Sequence, residues 1–474
     1  MPTSDVLARR SRVATLVIVS LGLFMVVLDN LVVNVALASI HRDFGASVQS
    51  LEWIVNAYVL AYAVLLLTGS VLGDRFGRKR MFITGIALFT LASAGSALAT
   101  TTSLLIATRA LQGVGAAIVT PLTLTLLADA FPPERRGIAL GVWSGISGTA
   151  VALGPLVGGA MIQIANWHWI FWINVPVGLV LAPVAARMLH ESRGSERGLD
   201  LAGLGLSSSG LFGVVFGLIR SQTLGWTAPE VLVSLIAGAL LLVGFIAQEL
   251  RTDDPMLPMG FFRRRSFAVT NMVSLSMYFG MFGSVFFMSQ YLQNVLGNTP
   301  FEAGLKLLVW TGSTMLVAPA AGYFSERIGS RVFMIAGLAL QAVALGWLAM
   351  EASVGQSYAS MIVPFVLAGS GMALVFAPSA NAVLASVRTD QAGQASGATN
   401  AIRELGGVLG ISVLSTVFTS NGSYASGLAY VHGLTPAMWV GTAVLAGGAL
   451  IAAALPFDTR EQSRAIQASA AVTA

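Results

Sequence analysis

The residues of this chain that could do chemistry stand out because apolar sequence surrounds them. Asp29 falls within FMVVLDNLVVNVAL and Arg109 within LLIATRALQGVGAA, with Gln112 one helical step further on. A buried carboxyl group can take up or release a proton as its surroundings change. Desolvation favours the neutral form, and a nearby cation favours the charged one. Asp29, Arg109 and Gln112 are therefore candidates for proton exchange. The competing readings are an acid that only caps neighbouring helix ends and an arginine that only ties helices together. Glu404 is a second titrating candidate. It is expected near the inner end of its span, where a pair with Arg403 or a loop charge would also account for it. Other chemistries have little to work with. There is no Cys, the four His are scattered without metal-ligand spacing, and no Gly-rich phosphate loop ends in Lys-Ser/Thr. No cofactor or metal is expected.

The elements that must position these groups follow from composition. Hydrophobic residues make up 55% of the 474 and charged ones 10%, too few charges to cover a water-soluble enzyme. At about 20 residues per crossing, the chain has room for roughly twelve to fourteen spans and no large extramembrane domain. Uncharged apolar runs give fourteen, near 13–40, 51–72, 81–100, 103–128, 138–163, 169–189, 200–220, 230–250, 267–290, 303–324, 332–350, 357–386, 398–420 and 436–456. The first run is too long for the apolar region of a signal peptide and is read as a retained span. The cations, 24 Arg and 2 Lys, set the orientation. With the N-terminus inside, 22 of the 26 fall on inner segments, Arg403 among them; Arg42 and Arg220 fall outside, and Arg109 and Lys306 within spans. An even count with both termini cytoplasmic follows. No basic stripe interleaved with exposed aromatics suggests a nucleic-acid partner.

An internal repeat divides the chain. GDRFGRKRMFITGIAL (Gly73–Leu88) aligns without gaps on SERIGSRVFMIAGLAL (Ser325–Leu340), with six identities in sixteen positions. Two six-helix bundles, 1–190 and 266–456, then flank an inserted two-helix hairpin with its linkers (191–265), and 457–474 form a cytoplasmic tail read as disordered. Repeats related by an axis along the membrane normal are a transporter plan with substrate bound between the halves. In the repeat alignment Arg109 falls on Phe365 and Gln112 on Ala368, which places coupling in the first half. At 1.5 Å per residue, Asp29 and Arg109 sit about 16 Å and about 9 Å below the outer ends of their spans, so they share the outer half of the bilayer.

Further motifs sharpen the picture. Asp74, Arg75, Gly77, Arg78 and Lys79 form the turn between spans 2 and 3, on the same membrane side as the start of span 13, where an Asp gains from the helix dipole. Gly141, Gly154, Pro155, Gly158 and Gly159 line span 5, where small residues permit close helix contact and proline bends the segment. Tyr278, Phe282 and Phe286 recur at i, i+4 and i+8, with Gln290 next. Together with Asn34, Asn56, Tyr58, Trp143 and Trp310 they are candidates for an aromatic, weakly polar cavity suited to amphipathic or cationic organic molecules.

SVLGDRFGRKR resembles the signature loop of the major facilitator superfamily. LDNLVVNVALASI, RALQGVGAA, LGPLVGG, NWHWIFWINVPVG and GATNAIRELGGVLG resemble motifs of its fourteen-helix drug:proton antiporter family. The likeness covers essentially the whole chain. Departures are Ser70 for the loop's leading Gly, Leu31 and Ala38 for a Thr and a Pro in span 1, Ala150 for a Gly in span 5, and His168 for an Arg at the 5–6 turn. The resemblance implies an all-α integral membrane protein of the bacterial inner membrane, not an enzyme. It would be a monomer in membrane lipid that exchanges protons for a small organic substrate, a drug or antibiotic. It also implies that the span 4 Arg handles protons near the acid, that the 2–3 loop latches the halves together with Asp129, and that LGPLVGG seals the interface and marks exporters. The alternatives are an exporter of an endogenous metabolite and a proton-coupled symporter on the same scaffold.

Overall fold

The computed structural model describes residues 2–194 and 200–456, without the side chains of 2–10, 34, 38, 48, 49, 133, 134, 151, 152, 155 and 389. The tail at 457–474 and linker residues 195–199 lie outside it. Fourteen long helices fill the described chain: α1 (Pro2–Phe44), α2 (Val48–Phe76), α3 (Arg78–Ala97), α4 (Thr102–Ala130), α5 (Pro133–Ile164), α6 (Trp169–Met188, interrupted at Ile173), α7 (Leu201–Leu224), α8 (Pro229–Glu249), α9 (Arg265–Asn294), α10 (Pro300–Ile328), α11 (Ser330–Glu351), α12 (Tyr358–Ala385), α13 (Ala392–Asn421) and α14 (Gly427–Ala452). Thirteen are long and apolar enough to cross a membrane. The other, α5, has 32 residues and no charge beyond Arg136.

Local chemistry sets the boundaries. Ser47, Thr101, Thr299 and Ser426 each accept a backbone N–H at the start of the following helix, and Thr299 with Glu302 completes a reciprocal cap. Gly77 (φ 107°) and Gly329 (φ 102°) occupy the same repeat position between α2 and α3 and between α10 and α11, where a side chain would be strained. The sequence reading starts span 13 at 398, but α13 begins at Ala392. The stretch AGQASGATN is too polar to read as a span, yet its small side chains let it pack as helix against α2.

Helix contacts repeat after the hairpin. In the first half α2 and α3 pack on α4, α1 on α5 and α3 on α6; in the second, α10 and α11 pack on α12, α9 on α13 and α11 on α14. Two seams join these groups, α5 against α10 and α12, and α13 against α2 and α4. The α7–α8 hairpin packs through α7 onto α2 and α13. The end of the bundle bearing the α2–α3 turn is called the basic end below.

Candidate functional site

Asp29, Arg109 and Gln112 meet inside the first group of helices, at 2%, 0% and 0% exposure. Arg109 Nη1 donates to Asp29 Oδ2 and, at 3.0 Å, to Gln112 Oε1. Asp29 Oδ1 accepts from Gln112 Nε2 at 3.1 Å and from Asn174 Nδ2 at 2.7 Å. The same two amides donate to Ser93 Oγ at 2.8 and 3.0 Å. The Arg109 guanidinium lies 4.3 Å from the Tyr58 ring centroid, and its Nε donates to the Ile54 carbonyl at 3.3 Å. An ion pair this deep is tolerable because hydrogen bonds satisfy most of its remaining lone pairs and protons. Arg109 Nη2 alone stays buried without a partner. Asp29 is the counter-charge that the buried guanidinium meets, and the contact joins α1 to α4. Asn174 and Ser93 were not singled out in the sequence. Asn174 sits in the quoted NWHWIFWINVPVG motif, and a polar residue inside an apolar span was the available signal.

Glu404 lies elsewhere than expected. Because α13 starts early, Glu404 is the thirteenth of its thirty residues, near mid-depth, and it forms no ion pair with Arg403. It is half-buried, makes no hydrogen bond among the described residues, and has Tyr58, Tyr62 and Tyr278 within electrostatic reach. Arg403, read from sequence as an inner-segment cation, is 1% exposed. Its Nη2 donates to Ser379 Oγ at 3.0 Å, and its guanidinium lies 5.2 Å from the Phe376 centroid and 5.7 Å from that of Tyr278. The second group of helices thus carries a buried cation of its own, at a position unrelated to Arg109. Phe365 and Ala368, the repeat counterparts of Arg109 and Gln112, are fully buried and apolar.

The aromatic candidates divide. Trp143 on α5 faces Phe376 on α12 at 6.0 Å, Phe376 faces Tyr278 at 5.8 Å, and Tyr278 stacks on Phe282 at 5.4 Å. Tyr58 stacks on Tyr62 at 6.0 Å. Trp143 Nε1 donates to Thr123 at 3.1 Å. Phe286 points outward at 37% exposure, contrary to the expected stripe. Each i+4 step turns about 40° round a helix, so the third member has rotated about 80° away from the first. Gln290 accepts from Asn294, Trp310 packs on Phe365 within the second group, and Asn56 is half-buried without a side-chain hydrogen bond among the described residues. The side chains of Asn34 and Pro155 lie outside the described residues.

At the basic end, Arg78 bridges Asp74 at 2.8 Å and Asp129 at 2.7 Å, and Ser192 Oγ donates to Asp129. Asp74 abuts the start of α13, where a Cβ on Gly393 would lie 2.0 Å from its Oδ2. Ser70 Oγ donates to the Gly393 carbonyl at 2.7 Å, so the departure from glycine at this position adds a bond across the seam. Arg75 is exposed, and Lys79 contributes its backbone N–H to Glu191. Glu326, aligned with Asp74 by the repeat, accepts from Gly137 N near the start of α5 at 2.5 Å. The two seams are thus closed at this end by acids at the same repeat position.

The α5 glycines face two helices. A Cβ on Gly141 would lie 2.5 Å from the Ala318 carbonyl of α10, one on Gly159 3.5 Å from Phe301 of α10, and those on Gly154 and Gly158 against Leu31 and Val32 of α1. At the α5–α6 turn, burial holds the His168 imidazole below its usual pKa against the opposing pull of Asp43, and the ring stacks on Trp167 at 3.7 Å.

Comparison with known proteins agrees with this architecture. The model of the Major Facilitator Superfamily matches residues 19–411 and 271–473. The chain is 36% identical over 409 residues to the tetracenomycin C resistance and export protein of Streptomyces glaucescens, covering 86% of this chain and 76% of that one. It is 34% identical over 484 residues to a puromycin resistance protein of Streptomyces alboniger, covering 97% and 94%. The solved proton:xylose symporter XylE, 14% identical, superposes with a TM-score of 0.67 over 93% of this chain and 95% of that chain, a likeness of fold alone. Fourteen helices in a repeated packing pattern and a family match along nearly the whole chain lead to one conclusion: this multi-pass membrane protein belongs to the Major Facilitator Superfamily.

Proposed function

We propose that the protein is a proton-coupled antiporter of the bacterial inner membrane, with its basic end in the cytoplasm, that exports small organic compounds of the drug or antibiotic type. The observation that carries this reading is the Asp29–Arg109 pair, buried and closed into one network with Gln112, Asn174 and Ser93. A charged acid inside a span is costly unless it is paired or hydrated, which makes it a candidate for function, and this one is tied to its cation in a network on four helices. In this arrangement the seams are closed at the basic end by Ser70–Gly393 and Glu326–Gly137. The central cavity would lie among Tyr58, Trp143, Tyr278, Phe282 and Glu404, drawn from both groups of helices. Protons and cargo drive transport only if each binds the two access states with different affinity. The relatives' names, tetracenomycin C and puromycin resistance, support an organic antibiotic as cargo.

The test uses inside-out vesicles with an imposed pH gradient. Asp29→Asn should insert normally and lose gradient-driven drug accumulation, while wild type accumulates drug and releases it when the gradient is collapsed. Accumulation by Asp29→Asn at the wild-type rate would refute the assignment.

A further inference from the structure

Two carboxyl groups outside the central network face each other at the base of the hairpin. Asp200 caps the start of α7, its Oδ1 accepting from Gly203 N at 2.8 Å. Glu249 is the last residue of α8, 3% exposed, its Oε2 accepting from Leu257 N at 2.8 Å. The other oxygen of each, Asp200 Oδ2 and Glu249 Oε1, is buried and has no hydrogen-bond partner among the described residues. Both lie 2.6 Å from the point where a Cβ on Gly203 would stand, so the missing side chain leaves them turned toward one spot. Among the described residues Asp200 is the charged group that faces Glu249. Arg251, Asp253 and Asp254 on the following connector are exposed, and Gln394, which reaches that connector from α13, is neutral. Glu196 and Arg197 lie outside the described residues.

Glu249 is buried and Asp200 half-buried, and the two buried free oxygens strongly disfavour both groups staying ionised side by side without a cation. The simplest relief is one proton held between them, an O–H on one oxygen donating to the other. We propose that Asp200 and Glu249 form a proton-binding site outside the transport path, and that the shared proton fastens the α8–α9 connector to the base of the hairpin. The fastening is direct. Leu257 N is bound to Glu249, and Met256 and Leu257 are each 5% exposed. The Pro255 carbonyl accepts from Gln394 at 3.4 Å, and Gln394 directly follows Gly393, on which Asp74 rests. The sign follows from the chemistry. The shared proton is bound at low pH, so the connector is fastened in acid and released as pH rises and that proton is lost.

Hydrogen exchange on the purified full-length protein tests this. Corrected for the intrinsic pH dependence, amides of the 250–258 segment should be at least about tenfold better protected at pH 6 than at pH 9, about 1.4 kcal/mol. In Glu249→Gln the side-chain amide can donate to Asp200 Oδ2 while its oxygen still accepts from Leu257, so protection should stay at the acid level at both pH values. Asp200→Asn, which keeps a competent cap, should do the same and decides the matter if Glu249→Gln misfolds. Adding Na⁺ or Mg²⁺ to wild type at pH 9 should not restore protection. Equal protection of wild type at both pH values, restoration by a metal cation, or folded variants that track wild type would each overturn the proposal, and the wild-type series is decisive alone if neither variant folds.

Discussion

The Asp29–Arg109 pair can be dissected by a cycle of neutral replacements. Asp29→Asn keeps an oxygen for Gln112 and Asn174 but leaves the Arg109 guanidinium, fully buried, without its counter-charge. Breaking a buried pair from one side costs about 3–5 kcal/mol, and Arg109→Gln should cost a similar amount from the other. For a helix group of this size that corresponds to a fall in melting temperature on the order of 10 °C. The double replacement removes both charges and should recover most of the loss, giving a coupling energy of at least about 2 kcal/mol. Thermal unfolding of the purified variants measures all of this. Single variants that melt with wild type, or losses that simply add, would show that the pair is not the closed unit described.

Two other outcomes bear on the seam and on the centre. Gly393→Ala would drive a methyl group to within 2.0 Å of Asp74 Oδ2, so the basic end should fail to close. Efflux should fall at least about tenfold, and a cysteine placed at Ser70, in a chain that has no other, should react faster with a maleimide; unchanged labelling would count against the contact. Glu404→Gln breaks no ion pair, so its stability should stay within about 0.5 kcal/mol of wild type while proton-driven efflux declines sharply. A destabilised variant with normal efflux would make Glu404 a packing residue.

Much of the architecture was legible because lipid enforces it. A span must be long, apolar and helical, and that pattern survives without knowledge of its neighbours. The meeting of Asp29, Arg109 and Gln112 was anticipated for the same reason, since charges inside spans have few places to go. What escaped depends on packing. The start of α13 reads as polar, so Arg403 and Glu404 were placed too close to the inner end. Phe286 shares a spacing with Tyr278, but helical drift carries it outward. Asn174 is one asparagine among several, and its position against Asp29 follows from how α6 crosses α1 and α3.

The hairpin does not divide its grip evenly. Ser412 donates to the Leu218 carbonyl, Gln222 donates to Ser412, and Trp226 donates to Thr416, all joining the hairpin to α13; among the described residues one hydroxyl pair, Thr68–Ser208, links it to α2. Apolar packing runs the other way, with Trp53 of α2 against Phe216 of α7 at 6.0 Å. The hairpin is therefore clamped to both arms, by polar bonds to α13 and by ring contact to α2, and any movement of one arm against the other would have to strain or release one clamp.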